Sequence, residues 1–453
     1  MSRKPFVSLW VRGLALATLC ALVAGVQAAP DPRAGRVVVK YWEKWNGFEA
    51  DAMRAVVDDF NQSQNRIWVD YSSVSQIDRR LMLAIAGGVP PDIAGVWGLS
   101  IPVYSENNAL TPLDKLAAEK GIGPDRYIPV FWDTCRHEGH LWGLPSTPTT
   151  LALVYNKKMF REAGLDPERP PRSIAELEAF NEKLLRRSPD GGIEAIGFLP
   201  EEPGWWNGLW GYWWGGEMLR DGKVNVGSPE IRSAYEWVQS YPERFGVREL
   251  LAFRDGFGNY ASPQNPFFNG RVAMVLQGVW IHNFIQNYAP PDFEWGVAPF
   301  PSFDPARHPD VTLADCDMLV IPAGAKHPRE AFEFIAYVNS PGPMEKLCLG
   351  QLKFSPLATS SPEFLARHPH PHLRAFSDLA WSPNARRYPV TSTWTAYQSE
   401  MRNAVSRIWS GNADAGTALA TVEQRQQKNL DRAAARWTRM APVLKKLWKD
   451  TSP

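Results

Sequence analysis

Residues 36–96 read RVVVKYWEKWNGFEADAMRAVVDDFNQSQNRIWVDYSSVSQIDRRLMLAIAGGVPPDIAGV. Three short apolar runs alternate with two stretches in which apolar residues recur at helical spacing. The runs cover residues 36–41, 67–71 and 92–96. This order of strand, helix, strand, helix, strand predicts a parallel sheet with right-handed crossovers. Ligands of such sheets bind beyond the carboxyl ends of the strands, which here fall at 41–47 and 96–100.

A second α/β unit follows, with strand-like segments at 151–156 and 193–198. Between them, Ser173 and Glu176 form the capping box of a helix. A later run whose apolar residues share one face predicts a long helix that begins near Trp394. A chain of 453 residues is too long for one hydrophobic core, so the sequence predicts two lobes.

The N-terminus has the pattern of a secretory signal peptide over residues 1–28. Basic residues precede an apolar run at 13–26, and small residues mark the cleavage site. A membrane anchor is the competing interpretation, but Gln27 and Pro30 end the apolar run early. We therefore expect a cleaved signal and a mature chain that acts in the periplasm.

Composition and cysteine content narrow the function classes. The chain has 49 basic and 48 acidic residues, a balance that does not favour nucleic acid or a membrane surface as a partner. Cys20 leaves with the signal, and Cys135, Cys316 and Cys348 remain. In an oxidising compartment two of these three can pair, and their separation in sequence does not indicate a metal site.

Seven motifs spread along the chain resemble those of extracellular solute-binding proteins of carbohydrate-uptake ABC transporters, the group that includes maltose-binding protein. The motifs are YWEKWNGFE at 41–49, GGVPPDI at 87–93, LWGLP at 141–145, YNKKMF at 155–160, NGRVAM at 269–274, GVW at 278–280 and IPAGAKHP at 321–328. Their number and order make the resemblance specific. It implies an α/β, two-lobed periplasmic binding protein (type II-like), in which each lobe is a sheet flanked by helices and a hinge joins the lobes.

The resemblance also implies the limits of the lobes and the function. The N-terminal lobe is expected at 36–148 plus 303–385, and the C-terminal lobe at 149–302 plus 386–450. We expect a monomeric protein that captures a neutral mono- or oligosaccharide by hinge closure and delivers it to ABC permease subunits. No cofactor, metal or nucleic acid is implied, and no enzyme activity.

A sugar site needs aromatic planes for the CH faces of the rings and fixed polar groups for the hydroxyls. By resemblance, Trp280 is expected to stack under the sugar. Trp42 and Glu43 end the first strand at the cleft, where Glu43 is expected to accept hydrogen bonds from sugar hydroxyls. Core packing or a solvated strand end remains the alternative for these positions.

Five further positions complete the expected site. Trp394 begins the late helix, and Trp205 and Trp206 follow the strand that ends near residue 199. Trp206 also fits the core-facing side of a helix together with later tryptophans, so both interpretations stay open. Thr147 and Thr149 lie where the chain crosses between the lobes. Threonine stands here where maltose binders carry an acid, which argues against maltose itself.

Two other functions are alternatives to sugar binding. A secreted carbohydrate-active hydrolase needs two carboxylates roughly 5–10 Å apart, and no motif indicates such a pair. A binding protein for a non-sugar solute remains the other alternative.

The tract at 368–372, with histidines at alternate positions, lacks the spacing of a metal site. The resemblance further implies a disulfide between Cys135 and Cys348, which leaves Cys316 as a free thiol.

Overall fold

The computed structural model describes residues 31–451, with side chains as far as Lys449. The predicted signal peptide at 1–28 lies outside the described residues. The strands of the described chain are β1 Val37–Glu43, β2 Ile67–Ser73, β3 Ile93–Trp97, β4 Arg136–His137, β5 His140–Leu141, β6 Gly143–Asn156, β7 Arg186–Arg187, β8 Ile193–Phe198, β9 Leu219–Arg220, β10 Lys223–Val224, β11 Val272–Gly278, β12 Trp295–Ala298, β13 Thr312–Val320 and β14 Ala385–Arg386.

Helices account for most of the remaining chain. The α-helices of residues 31–451 are α1 Gly47–Ser63, α2 Ile77–Ala86, α3 Ile101–Glu106, α4 Asp114–Glu119, α5 Pro129–Thr134, α6 Lys157–Glu162, α7 Ile174–Leu184, α8 Pro229–Phe245, α9 Val247–Arg254, α10 Ile281–Tyr288, α11 Pro328–Val338, α12 Pro341–Gln351, α13 Pro362–Arg367, α14 Leu373–Ala380, α15 Trp394–Trp409 and α16 Ala415–Thr451. Short 3₁₀ helices cover Gly98–Ser100, Pro124–Arg126 and Asn207–Trp214.

The predicted α/β elements of the first unit are confirmed. Strand β1 pairs in parallel with β2 on one side and β3 on the other. Helix α1 buries Met53, Val56 and Phe60, which recur at helical spacing, in the core. Helix α7 begins as the capping box predicts, because the Ser173 side chain accepts a hydrogen bond from the Glu176 amide.

One hydrogen-bonded sheet runs through the molecule in the order β2-β1-β3-β13-β6-β11-β8-β7. The half with β1, β2 and β3 forms the first lobe, and the half with β11, β8 and β7 forms the second. Strand β6 belongs to both halves. Its residues 143–150 pair with β13, and its residues 151–156 pair with β11 and β12. The two lobes are therefore joined by shared strands rather than built on two separate sheets.

The last turns of α16 lie on the first lobe. Trp448 packs edge-on against Trp142, with ring centroids 4.7 Å apart, and its Nε1 donates to Asn108 Oδ1 at 3.0 Å. Lys445 forms an ion pair with Glu138 at 2.8 Å. The expectation that residues 386–450 belong wholly to the second lobe is corrected here. The physical reason is that a 37-residue helix is long enough to reach from one lobe to the other.

The predicted pairing of Cys135 with Cys348 does not occur in this structure, where Cys135, Cys316 and Cys348 are buried free thiols. The Cys348 sulfur lies 3.8 Å from the sulfur of Met344 on its own helix. Burial raises the pKa of Cys316, and a hydrogen bond between its side chain and that of Cys135 raises it further. Tertiary packing therefore brings Cys135 to Cys316 and leaves Cys348 in a different part of the core.

Residues 31–451 contain neither a helix suited to span a membrane nor a cluster of metal ligands. None of the helices described there combines the length and the apolar character that a membrane span requires. Nor do His, Cys, Asp and Glu side chains gather anywhere in that range in a group of three able to hold a metal ion.

Candidate ligand-binding cleft

A cavity of about 810 Å³ lies between the two lobes, beyond the carboxyl ends of β1 and β3. Its first-lobe wall includes Lys44, Trp45, Glu49, Trp97, Tyr104 and Lys353. Its second-lobe wall includes Trp206, Trp280, Thr395 and Gln398. The floor is formed by the strands that join the lobes and by one tyrosine, and it includes Thr147, Thr149, Asp315, Asp317 and Tyr388. The cavity thus lies where the sequence predicts ligand binding.

The first-lobe wall contains a lysine that is nearly buried and fully neutralised. Lys44 Nζ lies 2.9 Å from Asp317 Oδ1 and 3.2 Å from Glu43 Oε1. Burial opposes the charge on Lys44, but Asp317 and Glu43 outweigh it and raise the pKa of the ammonium group. The two acids therefore keep Lys44 protonated, and their negative charges already balance its positive charge. Lys44 offers no unpaired positive charge to a ligand.

A second lysine on the same wall is neutralised in the same way. Lys353 Nζ lies 2.9 Å from Glu49 Oε1 and 3.9 Å from Asp317 Oδ2. The ring centre of Trp45 lies 4.9 Å from Lys44 Nζ and 5.8 Å from Lys353 Nζ. These cation–π contacts and ion pairs fix the wall in one arrangement.

Trp97 provides the open aromatic surface of the first-lobe wall. It ends β3, and 39% of the residue is exposed although the side chain is large and apolar. Lys44 Nζ lies over one part of the indole at 5.2 Å from the ring centre. An exposed indole that a buried network holds in place is well suited to stack against the flat face of a ligand.

The second-lobe wall is aromatic and uncharged at its centre. Trp280 follows β11, and its indole lies directly over Gly278, where an added Cβ would lie 2.3 Å from indole Cζ3. Glycine is needed at 278 because any larger residue would collide with this indole, and not for a left-handed backbone conformation, since its φ lies outside that region. Trp206 packs beside Trp280, with ring centroids 6.1 Å apart.

The floor presents polar groups that can hydrogen-bond a ligand. Thr149 Oγ1 has no hydrogen-bond partner within the described residues. Burial raises the pKa of Asp315 to about 8, so this carboxyl group is mainly protonated at neutral pH and can donate a hydrogen bond. Thr147 Oγ1 contacts Asp317 Oδ2 and Lys353 Nζ, each at 3.4 Å, and thereby links the floor to the first-lobe wall.

Four of the residues predicted from the sequence lie in this cleft. They are Trp280, Trp206, Thr147 and Thr149. The structure brings together two aromatic side chains of the second lobe and two hydroxyls of the strand shared by both lobes. Contact with a ligand stays a prediction for all four.

The other four predicted residues lie elsewhere. Glu43 is fully buried under Gly95, where it accepts a hydrogen bond from the Tyr41 hydroxyl at 2.6 Å. The expected role of Glu43 as a ligand acceptor is therefore corrected, because its oxygens are used by Tyr41 and Lys44. Trp42 is half-buried and packs against the core.

Trp394 and Trp205 lie outside the cleft, one buried and the other exposed. Trp394 is 2% exposed and packs between Tyr388 and Tyr397, so it supports the cleft from behind. Trp205 is 45% exposed and packs against Tyr260 in a neighbouring surface pocket. The direction of each side chain, which the sequence does not give, accounts for both differences.

Sequence reasoning missed several residues of the cleft. Trp97 lies in the predicted strand-end segment 96–100, so its position carried a usable signal. Lys44 likewise follows the predicted end of β1. Lys353 and Tyr388 come from segments that no motif singled out, and only the tertiary structure brings them to the cleft.

The fold and the cleft define a class of protein, a two-lobed α/β protein with a cavity between the lobes. The family model of the bacterial extracellular solute-binding proteins matches residues 47–345. The chain belongs to this family, and the prediction of a two-lobed solute-binding protein that acts outside the cytoplasm is confirmed.

Individual proteins show the same relationship. The chain is 27% identical over 299 residues to the sn-glycerol-3-phosphate-binding periplasmic protein UgpB of Pectobacterium atrosepticum, over 61% of this chain and 62% of that relative. A structure of CpMnBP1 with mannotriose bound has a TM-score of 0.74 and 25% identity, over 86% of this chain and 99% of the other.

The sugar-binding protein MalE of Xanthomonas citri has a TM-score of 0.73 and 24% identity, over 89% of this chain and 99% of the other. This similarity shows the fold.

Proposed function

We propose that this protein is the sugar-binding component of an ABC transporter and that it captures a neutral mono- or oligosaccharide in the cleft. The observation that carries the proposal is the aromatic character of both walls. Trp97 offers an exposed indole on one side, and Trp206 and Trp280 lie on the other. A sugar ring between such planes buries its CH faces and keeps its edge free for hydrogen bonds.

The charges of the cleft support a neutral ligand. Lys44 and Lys353 each contact two carboxylates within 4 Å, so neither ammonium group offers an unpaired positive charge. Thr149 and the protonated Asp315 can instead donate hydrogen bonds to hydroxyl or ring oxygens. This combination suits a polyhydroxylated, uncharged molecule.

The relatives support the same ligand class and supply one alternative. Mannotriose is the ligand of CpMnBP1, a neutral oligosaccharide. The similarity to UgpB instead raises glycerol 3-phosphate as a second candidate. A phosphate group is best held by unpaired cations or by backbone N–H groups, so the paired lysines favour the sugar.

Hinge closure is the proposed mechanism. The strands shared by the lobes act as the hinge, and a ligand that touches both walls stabilises the closed form by its greater affinity for that form. The permease subunits then distinguish the closed protein from the open one. The proposal includes lobes at about 36–148 plus 303–385 and about 149–302 plus 386–450, apart from the last turns of α16. It also includes a cleaved signal at 1–28, a periplasmic monomer and no catalytic activity.

Thermal unfolding with a panel of ligands tests the proposal. A ligand present at 100 times its Kd should add roughly 2.7 kcal/mol to stability. We expect a shift with at least one neutral mono- or oligosaccharide, including mannooligosaccharides, and none with glycerol 3-phosphate. A shift with the phosphate alone would transfer the proposal to that ligand, and turnover of a glycoside would show an enzyme.

A further inference from the structure

The histidine tract at 368–372 forms a regular hydrogen-bonded ladder. His368 Nδ1 accepts a hydrogen bond from the His370 amide at 3.2 Å. His370 Nδ1 accepts one from the His372 amide at 3.1 Å. The alternating prolines have no N–H, so the histidine amides are the only backbone donors within the tract. We call His368, His370 and His372 the histidine ladder, and each of its histidines with its hydrogen bonds a rung.

The opposite edge of two rings of the ladder is bonded to backbone carbonyl groups. His368 Nε2 lies 3.2 Å from the Lys353 carbonyl oxygen, and His370 Nε2 lies 3.1 Å from the Val279 carbonyl oxygen. A carbonyl oxygen only accepts, so Nε2 must carry the proton in both rings. Since Nδ1 accepts from an amide in both rings, each imidazole is fully used in its neutral form and is not free to bind a metal.

The two carbonyl groups belong to opposite walls of the cleft. Lys353 is part of the first-lobe wall, and Val279 directly precedes Trp280 of the second-lobe wall. Two neighbouring histidines of one short tract therefore hydrogen-bond to the backbone at both walls. His370 is 3% exposed, and its ring packs against those of Trp295 and Phe376 at centroid distances of 5.7 and 5.5 Å.

We propose that the histidine ladder is a positioning device that orients the backbone at the two walls of the cleft. His368 fixes the backbone of Lys353, and His370 fixes the backbone next to Trp280. Neither histidine touches the ligand. The ligand class rests on the proposed function, but the positioning role itself does not depend on it.

The surroundings keep the ladder neutral. Burial, followed by the neighbouring histidines, lowers the pKa of His370 to about 3 and the pKa of His282 to about 4. Burial also lowers the pKa of His368 and His372. The titratable groups that face the ladder from other elements are His282 of α10, 4.7 Å from His370 between ring centroids, and Lys157 and Glu168, which act on His372. A proton on Nδ1 would remove the acceptor on which each rung depends.

Two variants of one rung separate positioning from simple packing. His370→Phe keeps an aromatic ring in the apolar pocket but lacks both nitrogens, and His370→Gln restores a donor for the Val279 carbonyl. Hydrogen exchange of the amides at 279–283, measured without ligand, is expected to become at least about tenfold faster in the Phe variant, since one lost hydrogen bond is worth roughly that factor. The Gln variant should recover most of the protection.

Ligand affinity gives the second measurement. The Phe variant should bind the sugar that emerges from the ligand panel about tenfold more weakly, and the Gln variant close to the unchanged protein. Affinity of the unchanged protein should stay level from pH 7 to pH 5, because His370 remains neutral and Asp315 remains mainly protonated over this range. His327→Gln, an imidazole outside the ladder, is the control and should alter neither measurement.

Each outcome decides one of the two proposals. If the Phe variant exchanges and binds like the unchanged protein, the ladder is only core packing and the positioning role is wrong. If no sugar binds the unchanged protein, the proposed function fails, while the exchange comparison still decides the ladder. Should His370→Phe not fold, the half-buried His368→Phe tests the rung at Lys353 by exchange of the amides at 352–354.

Discussion

The two walls of the cleft are built on different principles. The first-lobe wall holds two buried lysines, and the indole of Trp45, which is 4% exposed, contacts both of their ammonium groups. The second-lobe wall has no charged side chain among its described lining residues and relies on Trp206 and Trp280. A charge network tolerates little movement, because separating buried ions is costly, whereas aromatic faces can approach a ligand from a range of positions. The first wall is thus suited to hold the ligand and the second to close over it.

Removal of the central acid of the first-lobe wall should have the largest effect. Asp317→Asn leaves Lys44 and Lys353 without their shared carboxylate, and breaking a buried ion pair in this way costs about 3 kcal/mol. Denaturant unfolding measures the loss. Asp78→Asn, which removes a carboxylate that accepts only from the Tyr104 hydroxyl within the described chain, is the control. Equal stability of the two variants would contradict the buried network.

Truncation of the second-lobe wall should weaken binding more than folding. Trp280→Ala removes a stacking plane, which is worth about 2 kcal/mol or more, so affinity should fall at least about 30-fold. Isothermal titration with the bound sugar measures this change. Trp394→Ala is the matched control, because that buried tryptophan should instead cost roughly 3–5 kcal/mol of folding stability. A Trp280 variant that melts early yet binds normally would assign Trp280 to the core.

The exposed indole of the first-lobe wall should contribute less. Trp97→Ala loses one aromatic contact of about 1 kcal/mol, so affinity should fall roughly fivefold to tenfold. The ion pairs of Lys44 remain in this variant, and its melting temperature should change little. Trp381→Ala removes a tryptophan that is 52% exposed outside the cleft and should bind like the unchanged protein. Unchanged affinity in the Trp97 variant would show that this indole does not contact the sugar and that the first-lobe wall binds it through polar groups alone.

Asp315 on the floor should give the smallest effect, and one that depends on pH. Its pKa is raised to about 8 in the folded protein, so between about pH 4 and pH 8 the unfolded chain has lost a proton that the folded chain still holds. Stability therefore falls as pH rises, by about 1 kcal/mol between pH 7 and 8, and this contribution levels off above the folded pKa. Asp315→Asn should remove this slope. A variant with the same slope as the unchanged protein would show that another group titrates.

Part of this site could be predicted from residues that are near one another in sequence. The strand ends at 41–47 and 96–100 follow from the strand–helix alternation, and they lead to Lys44 and Trp97. The GVW motif at 278–280 led by resemblance to Trp280 of the second-lobe wall. Glu43 was misassigned because the same strand end presents one side chain to the cleft and the next to the core.

The sequence by itself determined the elements and the family, because hydrophobic periodicity and turn residues act over a few positions. Only the tertiary structure decided which charges meet. Lys353 reaches Glu49 across 304 positions, and Cys135 meets Cys316 rather than the Cys348 that the resemblance implied as its partner. It also decided that α16 reaches the first lobe and that His370 bonds the carbonyl beside Trp280. Such contacts depend on how whole helices and strands pack against one another. Local sequence patterns carry no information about contacts between residues so far apart in the chain.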